Sequence, residues 1–85
     1  NDLVSSYLTI NTTRMITYHK LINSMRSYLT KHSPVIISDL ERLYKTETLS
    51  SCYDACIYTL SHSKAFYFEK IKGIKYCYHR DDIHD

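Results

Sequence analysis

The sequence predicts a small α+β domain in which three to four helices are followed by a two-stranded antiparallel hairpin. Two runs that alternate bulky with polar or aromatic residues predict the hairpin, and they flank Lys72 and Gly73. Gly73 is the only glycine of the chain, and a tight two-residue turn needs a residue that accepts positive φ. Apolar residues that recur every three or four positions predict the helices that come before it.

The chain before the hairpin opens with a short helix predicted over residues 2–10, and a break at residues 11–13 supplies a candidate N-cap. A longer helix follows and ends near Lys31, with cations in its last turn. Its inward residues repeat at steps of three and four and are Met15, Tyr18, Leu21, Ile22, Met25, Tyr28 and Leu29. This spacing also suits a dimerising coiled-coil seam, but it covers only about two heptads, which favours a core helix.

Pro34 ends this helix, because the residue before a proline is pushed out of the α region. The β-branched run at residues 35–37 suits a third strand beside the hairpin. Ser38 and Glu41 have the spacing of a capping box, which predicts the start of a second helix. The expected inward residues of that helix are Leu40, Leu43 and Tyr44.

A third helix is predicted from Ser51 to about His62, because Ser51 and Asp54 repeat the capping spacing. Its expected inner face comprises Tyr53, Cys56, Ile57 and Leu60. Its expected outer face comprises Ser51, Asp54, Ala55, Tyr58 and His62. The outer face therefore carries one carboxylate and no lysine or arginine.

The turn at Lys72 and Gly73 fixes the predicted register of the hairpin. The expected pairs are Ile71 with Ile74, Phe68 with Cys77, and Phe66 with His79. One face of the hairpin then carries Phe66, Phe68 and Cys77, which form a core surface. The other face carries Tyr67, Glu69, Ile71, Ile74, Tyr76 and Tyr78. A shift of the register by one residue would exchange the two faces.

Composition narrows the function classes. The 85 residues form one domain, and the net charge of +2 is low for a DNA-binding protein. No apolar run approaches the roughly 20 residues that span a bilayer. Three cysteines without framework spacing favour reduced thiols and an intracellular protein. The chain has no Gly-rich phosphate loop and no nucleophile spaced to pair with a base, so we expect no enzyme, no cofactor and no metal site.

The order of a long helix, a short strand, two further helices and a basic-tipped hairpin resembles the winged-helix superfamily over roughly residues 13–80. The resemblance implies that residues 51–62 form a recognition helix and residues 66–78 form the wing. It leaves residues 1–12 as a helical extension and residues 81–85 as an acidic tail. Tyr58-Thr59-Leu60 is also similar to the Tyr-Ser-Leu of Z-alpha domains, which bind left-handed DNA. However, Asp54 stands where that family has asparagine, and the wing has no Pro-Pro-x-Trp.

The superfamily resemblance implies nucleic acid, and duplex DNA in particular, as the partner. The cations of this chain lie in or beside the wing rather than on the recognition helix, so we expect phosphate contacts from the wing and stacking from its tyrosines. The expected nucleic-acid contacts are Lys64, Lys70, Lys72, Lys75, Tyr58, Tyr67 and Tyr76.

An alternative hypothesis is a protein-interaction or self-association module, including a homodimer. Ile71 and Ile74 flank the turn, and Tyr78 lies on the same predicted face, so an apolar surface stands beside the tyrosines. The module would then dock within a larger assembly. Both hypotheses place the protein inside the cell, in the nucleus or in a viral replication compartment.

Overall fold

The computed structural model describes the backbone of residues 2–82 and the side chains of residues 14–81. Within this part of the chain the elements are α1 (Asp2–His32), β1 (Val35–Ile36), α2 (Ile37–Tyr44), α3 (Ser50–Ser61), β2 (Phe66–Ile71), β3 (Ile74–His79) and a 3-10 turn at Arg80–Asp82. The α+β class is therefore confirmed. Most of the predicted acidic tail lies outside the described residues.

Helix α1 is one unbroken helix from Asp2 to His32, so the predicted break at residues 11–13 is wrong. The asparagine and the threonines at these positions lower helix propensity by only a fraction of a kcal/mol each, and neither Gly nor Pro is present to stop the helix. The predicted extension over residues 1–12 is thus continuous, from Asp2 onwards, with the helix that enters the core. The predicted end near Lys31 agrees with the observed end at His32.

The core lies between the helices and one face of the sheet. Its buried members are Leu21, Ile22, Met25, Leu29, Val35, Ile37, Leu40, Tyr53, Cys56, Leu60, Phe66 and Cys77. Most of the inward residues predicted for α1 and α3 are among them, and Tyr18, Tyr28 and Ile57 pack against them. Met15 and Leu43 were predicted to point inward but are 62% and 53% exposed. Among the α1 side chains that the structure describes, Tyr18 is the first that packs against the core, and Met15 precedes it.

Both predicted capping boxes are wrong. Helix α2 begins at Ile37 with Ile36 as its N-cap, and no side chain caps it. Ile36 is extended because it pairs with Tyr76 of β3, and Ile37 is buried, so packing sets the start of α2 ahead of Ser38. Helix α3 likewise begins at Ser50 with Leu49 as its N-cap and no side-chain cap.

The sheet has three antiparallel strands in the order β1-β3-β2, rather than the two of the hairpin alone. The β-branched run supplies the third strand, as its composition predicted, although Ile37 leaves the strand to open α2. Cys77 of β3 pairs with Val35 on one side and with Phe68 on the other. The predicted hairpin register is confirmed from the Phe66–His79 pair to the Ile71–Ile74 pair.

Two hydrogen bonds fix the base of the hairpin. The His79 amide donates to the Ser33 hydroxyl oxygen at 2.7 Å, which joins the end of β3 to the turn after α1. The Arg80 amide donates to the Ala65 carbonyl at 2.9 Å and joins the end of β3 to the start of β2. The tip of the hairpin, in contrast, projects as an exposed turn at Lys72 and Gly73.

Replacing Phe66 by alanine should lower the free energy of unfolding by about 3–5 kcal/mol, because Phe66 is the buried aromatic of the sheet. Tyr67→Ala should lower the free energy of unfolding much less, since Tyr67 lies on the exposed face. The loss from Phe68→Ala should lie between the losses from Phe66→Ala and Tyr67→Ala. Urea denaturation of the three variants would check this order. A larger loss from Tyr67→Ala would show that the two faces of the sheet are exchanged.

Candidate nucleic-acid interface

The tip of the hairpin concentrates positive charge. Lys70 and Lys75 are direct cross-strand partners, and Lys72 occupies the turn between their strands. All three are exposed. Directly opposed residues on antiparallel strands share a face, so the two paired ammonium groups repel each other. The Lys75 Nζ lies 5.7 Å from the centre of the Phe68 ring, which places this pair toward the core-side face of the sheet.

The turn itself is built at some cost to stability. Lys72 has φ of 51° and Gly73 has φ of 82°, so both central residues adopt the left-handed conformation of a tight hairpin turn. Glycine adopts this conformation without strain, whereas a lysine in it lowers the free energy of unfolding by about 1–2 kcal/mol. A β-carbon at Gly73 would meet no atom within 4 Å, so backbone conformation, and not space, favours glycine there.

The opposite face of the hairpin carries the tyrosines. Tyr67 and Tyr78 are cross-strand partners with ring centres 6.4 Å apart, and Tyr76 lies 6.2 Å from Tyr78 along β3. We call these three residues the tyrosine ladder. Ile36 of β1 pairs with Tyr76 and extends the same face. The sequence interleaves lysines and tyrosines, but the structure separates them onto two sides of one hairpin.

A second group of cations lies at the base of the hairpin. Lys64 precedes β2 and is exposed, whereas the lysines of the tip lie at the other end of the strands, so the predicted set of four lysines does not form one cluster. Arg80 follows β3, and its guanidinium lies 5.4 Å from the centre of the Tyr67 ring. This contact is a cation–π arrangement that ties Arg80 to the tyrosine ladder.

The outer face of α3 presents an aromatic pair. Tyr58 is 68% exposed, and its ring centre lies 4.3 Å from that of His62. A ring nitrogen of His62 lies 2.8 Å from the Tyr58 carbonyl oxygen, one helical turn earlier, and this contact orients the imidazole ring. All five residues predicted for the outer face of α3 are exposed or half-buried as expected, and none of them is a cation.

The carboxylate of the α3 outer face has a partner that the sequence did not indicate. Lys45, which follows α2, places its Nζ 3.1 Å from Asp54. The pair is largely exposed, so it contributes little to stability, but it offsets the negative charge that Asp54 would present to phosphate.

Two of the three cysteines, Cys56 and Cys77, have buried thiols. Burial raises the pKa of Cys77 to about 12, and burial together with the neighbouring Cys52 raises that of Cys56 to about 11. Both therefore stay protonated at neutral pH and are poor metal ligands. Among the described residues no three His, Cys, Asp or Glu side chains come together.

A cleft with a volume of about 560 Å³ lies between α1 and α3. Arg14 of α1 and Ser51 of α3 are among its lining residues, and it opens broadly to solvent. Neither the tip lysines nor the tyrosine ladder line it, so it is separate from the hairpin surfaces.

Comparison of this chain with protein-family models, with curated proteins and with solved structures finds no match. Over the described residues, no helix combines the length and the apolar character that crossing a bilayer requires.

Lys70→Glu should raise the free energy of unfolding, because it replaces a repelling cross-strand pair by an attracting one. The expected gain lies at the lower end of roughly 0.2–1 kcal/mol, since exposed pairs are screened by water and salt. Urea denaturation at low and at high salt would measure it, and the gain should shrink as salt is added. A loss of stability at low salt would contradict the pairing.

Proposed function

We propose that this chain is a winged-helix module, without catalytic activity, that binds nucleic acid through phosphate contacts at the tip of its hairpin. The order of the elements and the short third strand beside the hairpin support this proposal, because the resemblance to the superfamily rests on that order. In this assignment α3 is the recognition helix, and β2 with β3 is the wing. The protein acts inside the cell, in the nucleus or in a viral replication compartment.

The tip of the hairpin concentrates positive charge in a way that lowers the stability of the folded domain, and the proposal rests on this feature. Lys70 and Lys75 repel each other across the strands, and Lys72 holds an unfavourable backbone conformation. Each feature lowers folding stability and each adds a cation at the same exposed point. A polyanion such as the phosphate backbone offsets this repulsion and releases counterions when it binds.

Helix α3 takes a secondary part in the proposal. Its outer face offers Tyr58 and His62 rather than the arginines and lysines of most recognition helices. The ion pair between Lys45 and Asp54 leaves this face close to neutral. The helix can therefore lie near a phosphate backbone without repelling it, while the lysines of the wing supply the attraction.

Replacing Lys70, Lys72 and Lys75 together by glutamate should abolish most nucleic-acid binding. Each single change to alanine should lower the slope of log affinity against log salt by nearly one unit, because each lysine neutralises about one phosphate. Fluorescence anisotropy with labelled DNA and RNA at several salt concentrations would measure both effects.

Lys20→Ala and Lys31→Ala on the exposed side of α1 are the matched controls, and they should leave the slope unchanged. Lys70→Glu separates folding from binding, because it should stabilise the domain and weaken binding at once. If the anisotropy of the labelled DNA and RNA does not change with protein concentration even at low salt, the proposal is contradicted.

A second candidate function is docking to another protein, and the position of two isoleucines favours it. Ile71 and Ile74 are direct cross-strand partners beside the turn, and they remain 40% and 45% exposed. Tyr78 lies on the same face and extends the surface toward the base of the hairpin. An exposed apolar pair of this kind suits an interface with a partner or with a second copy of this chain.

This second candidate predicts self-association or partner binding that fails when Ile71 and Ile74 are both changed to serine. Sedimentation of the wild type and of the variant over a range of concentrations would detect self-association. Leu43→Ser is the control, since Leu43 is at least as exposed as the two isoleucines but lies on α2. If the protein sediments as a monomer at all concentrations, self-association is excluded and the docking partner must be a different protein.

A further inference from the structure

We infer that the nucleic acid bound by this protein is single-stranded, and that unpaired bases stack on the tyrosine ladder of Tyr67, Tyr76 and Tyr78. This inference rests on the proposed function, because it names the class of nucleic acid that the hairpin takes. It follows from the separation of the tyrosines from the tip lysines, which gives the hairpin one face for bases and a basic tip for phosphates.

The ladder has the geometry of a stacking platform. Its three rings belong to one sheet face, their centres are 6.2 and 6.4 Å apart, and neighbouring planes are inclined by 35° and 39°. Tyr67 is 38% exposed and the other two are half-buried, so the rings are held by neighbours yet reach solvent. Aromatic residues carried by a β-sheet stack two or three unpaired bases in other RNA-binding modules.

Cations stand at both ends of the ladder. Arg80 lies 5.4 Å from the centre of the Tyr67 ring at the base of the hairpin, and Lys72 stands at the tip. A strand that runs along the hairpin would meet positive charge where it enters and where it leaves. The one carboxylate of this face, Glu69, is the cross-strand partner of Tyr76 and can accept a hydrogen bond from a base amino group.

A duplex cannot use this face. The bases of a double helix are stacked on each other, so their flat surfaces are covered and only their edges reach a groove. A duplex would therefore contact the lysines of the tip, and none of its bases would stack on the tyrosines. Single-stranded nucleic acid exposes the faces of its bases, and stacking of this kind tolerates any base sequence.

The test compares a labelled thymidine oligonucleotide of about 12 nucleotides with a duplex of the same length, each by fluorescence anisotropy. Tyr67→Leu and Tyr76→Leu should each weaken binding of the single strand roughly 5- to 150-fold, the range expected for the loss of one stacked base. Neither change should alter duplex affinity by more than about twofold. The salt slope should also stay constant, because no phosphate contact is lost.

Two controls keep the outcome decisive. Tyr67→Phe and Tyr76→Phe keep the ring and should retain single-strand affinity, whereas a loss equal to that of leucine would overturn stacking. Leu43→Ser removes an exposed apolar side chain that lies on α2 and outside the ladder, and it should leave single-strand affinity unchanged. Urea denaturation of every variant separates lost binding from lost folding.

Failure of this inference is distinguishable from failure of the proposed function. If single-strand and duplex binding both depend on the lysines and neither depends on the tyrosines, stacking is overturned and the proposed function stands. If no oligonucleotide binds at low salt, both are overturned. If the tyrosine variants instead abolish self-association while single-strand affinity is unchanged, the ladder is a protein interface.

Discussion

Burial of one face of the sheet determines where every candidate functional residue lies. Phe66, Cys77 and Val35 point toward the helices, and removing them from water stabilises the domain. Because side chains alternate along a strand, fixing these three fixes all the others. The tyrosines must then face away from the helices, and the paired lysines must emerge beyond the end of the core. A slip of one residue would bury tyrosines and expose phenylalanines, so packing and turn geometry both exclude it.

The hairpin and the inner faces of α1 and α3 could be predicted from the sequence because they depend on local patterns. Period-two alternation, a single glycine and three-four spacing suffice for them. The starts of α2 and α3 could not be predicted in this way. Ile36 precedes α2 because its strand pairing and the burial of Ile37 override the preference for a serine cap. Leu49, which precedes α3, packs against the core. Met15 continues the three-four spacing of α1 and is nevertheless exposed, so the spacing alone does not mark where the packed part of the helix begins.

The two faces of the hairpin could be predicted from the sequence, because residues adjacent along a strand point to opposite sides and the predicted register is the observed one. The sequence did not show that the four candidate lysines divide between the two ends of the hairpin, with Lys64 at the base and the other three at the tip, because that separation is a distance in three dimensions. The partner of Asp54 was hidden for a different reason: Lys45 reaches it across the loop between α2 and α3, and that loop follows no periodic pattern.

The alternation of the hairpin has an evolutionary consequence. One stretch of chain, residues 66–79, encodes two surfaces whose residues occupy separate positions, so a substitution on one surface leaves the other unchanged. Either surface can therefore drift or specialise without a compensating change in its neighbour, provided that the turn keeps its length. Insertion or deletion of a single residue within a strand would be far more damaging than most substitutions, because it would exchange the two surfaces together.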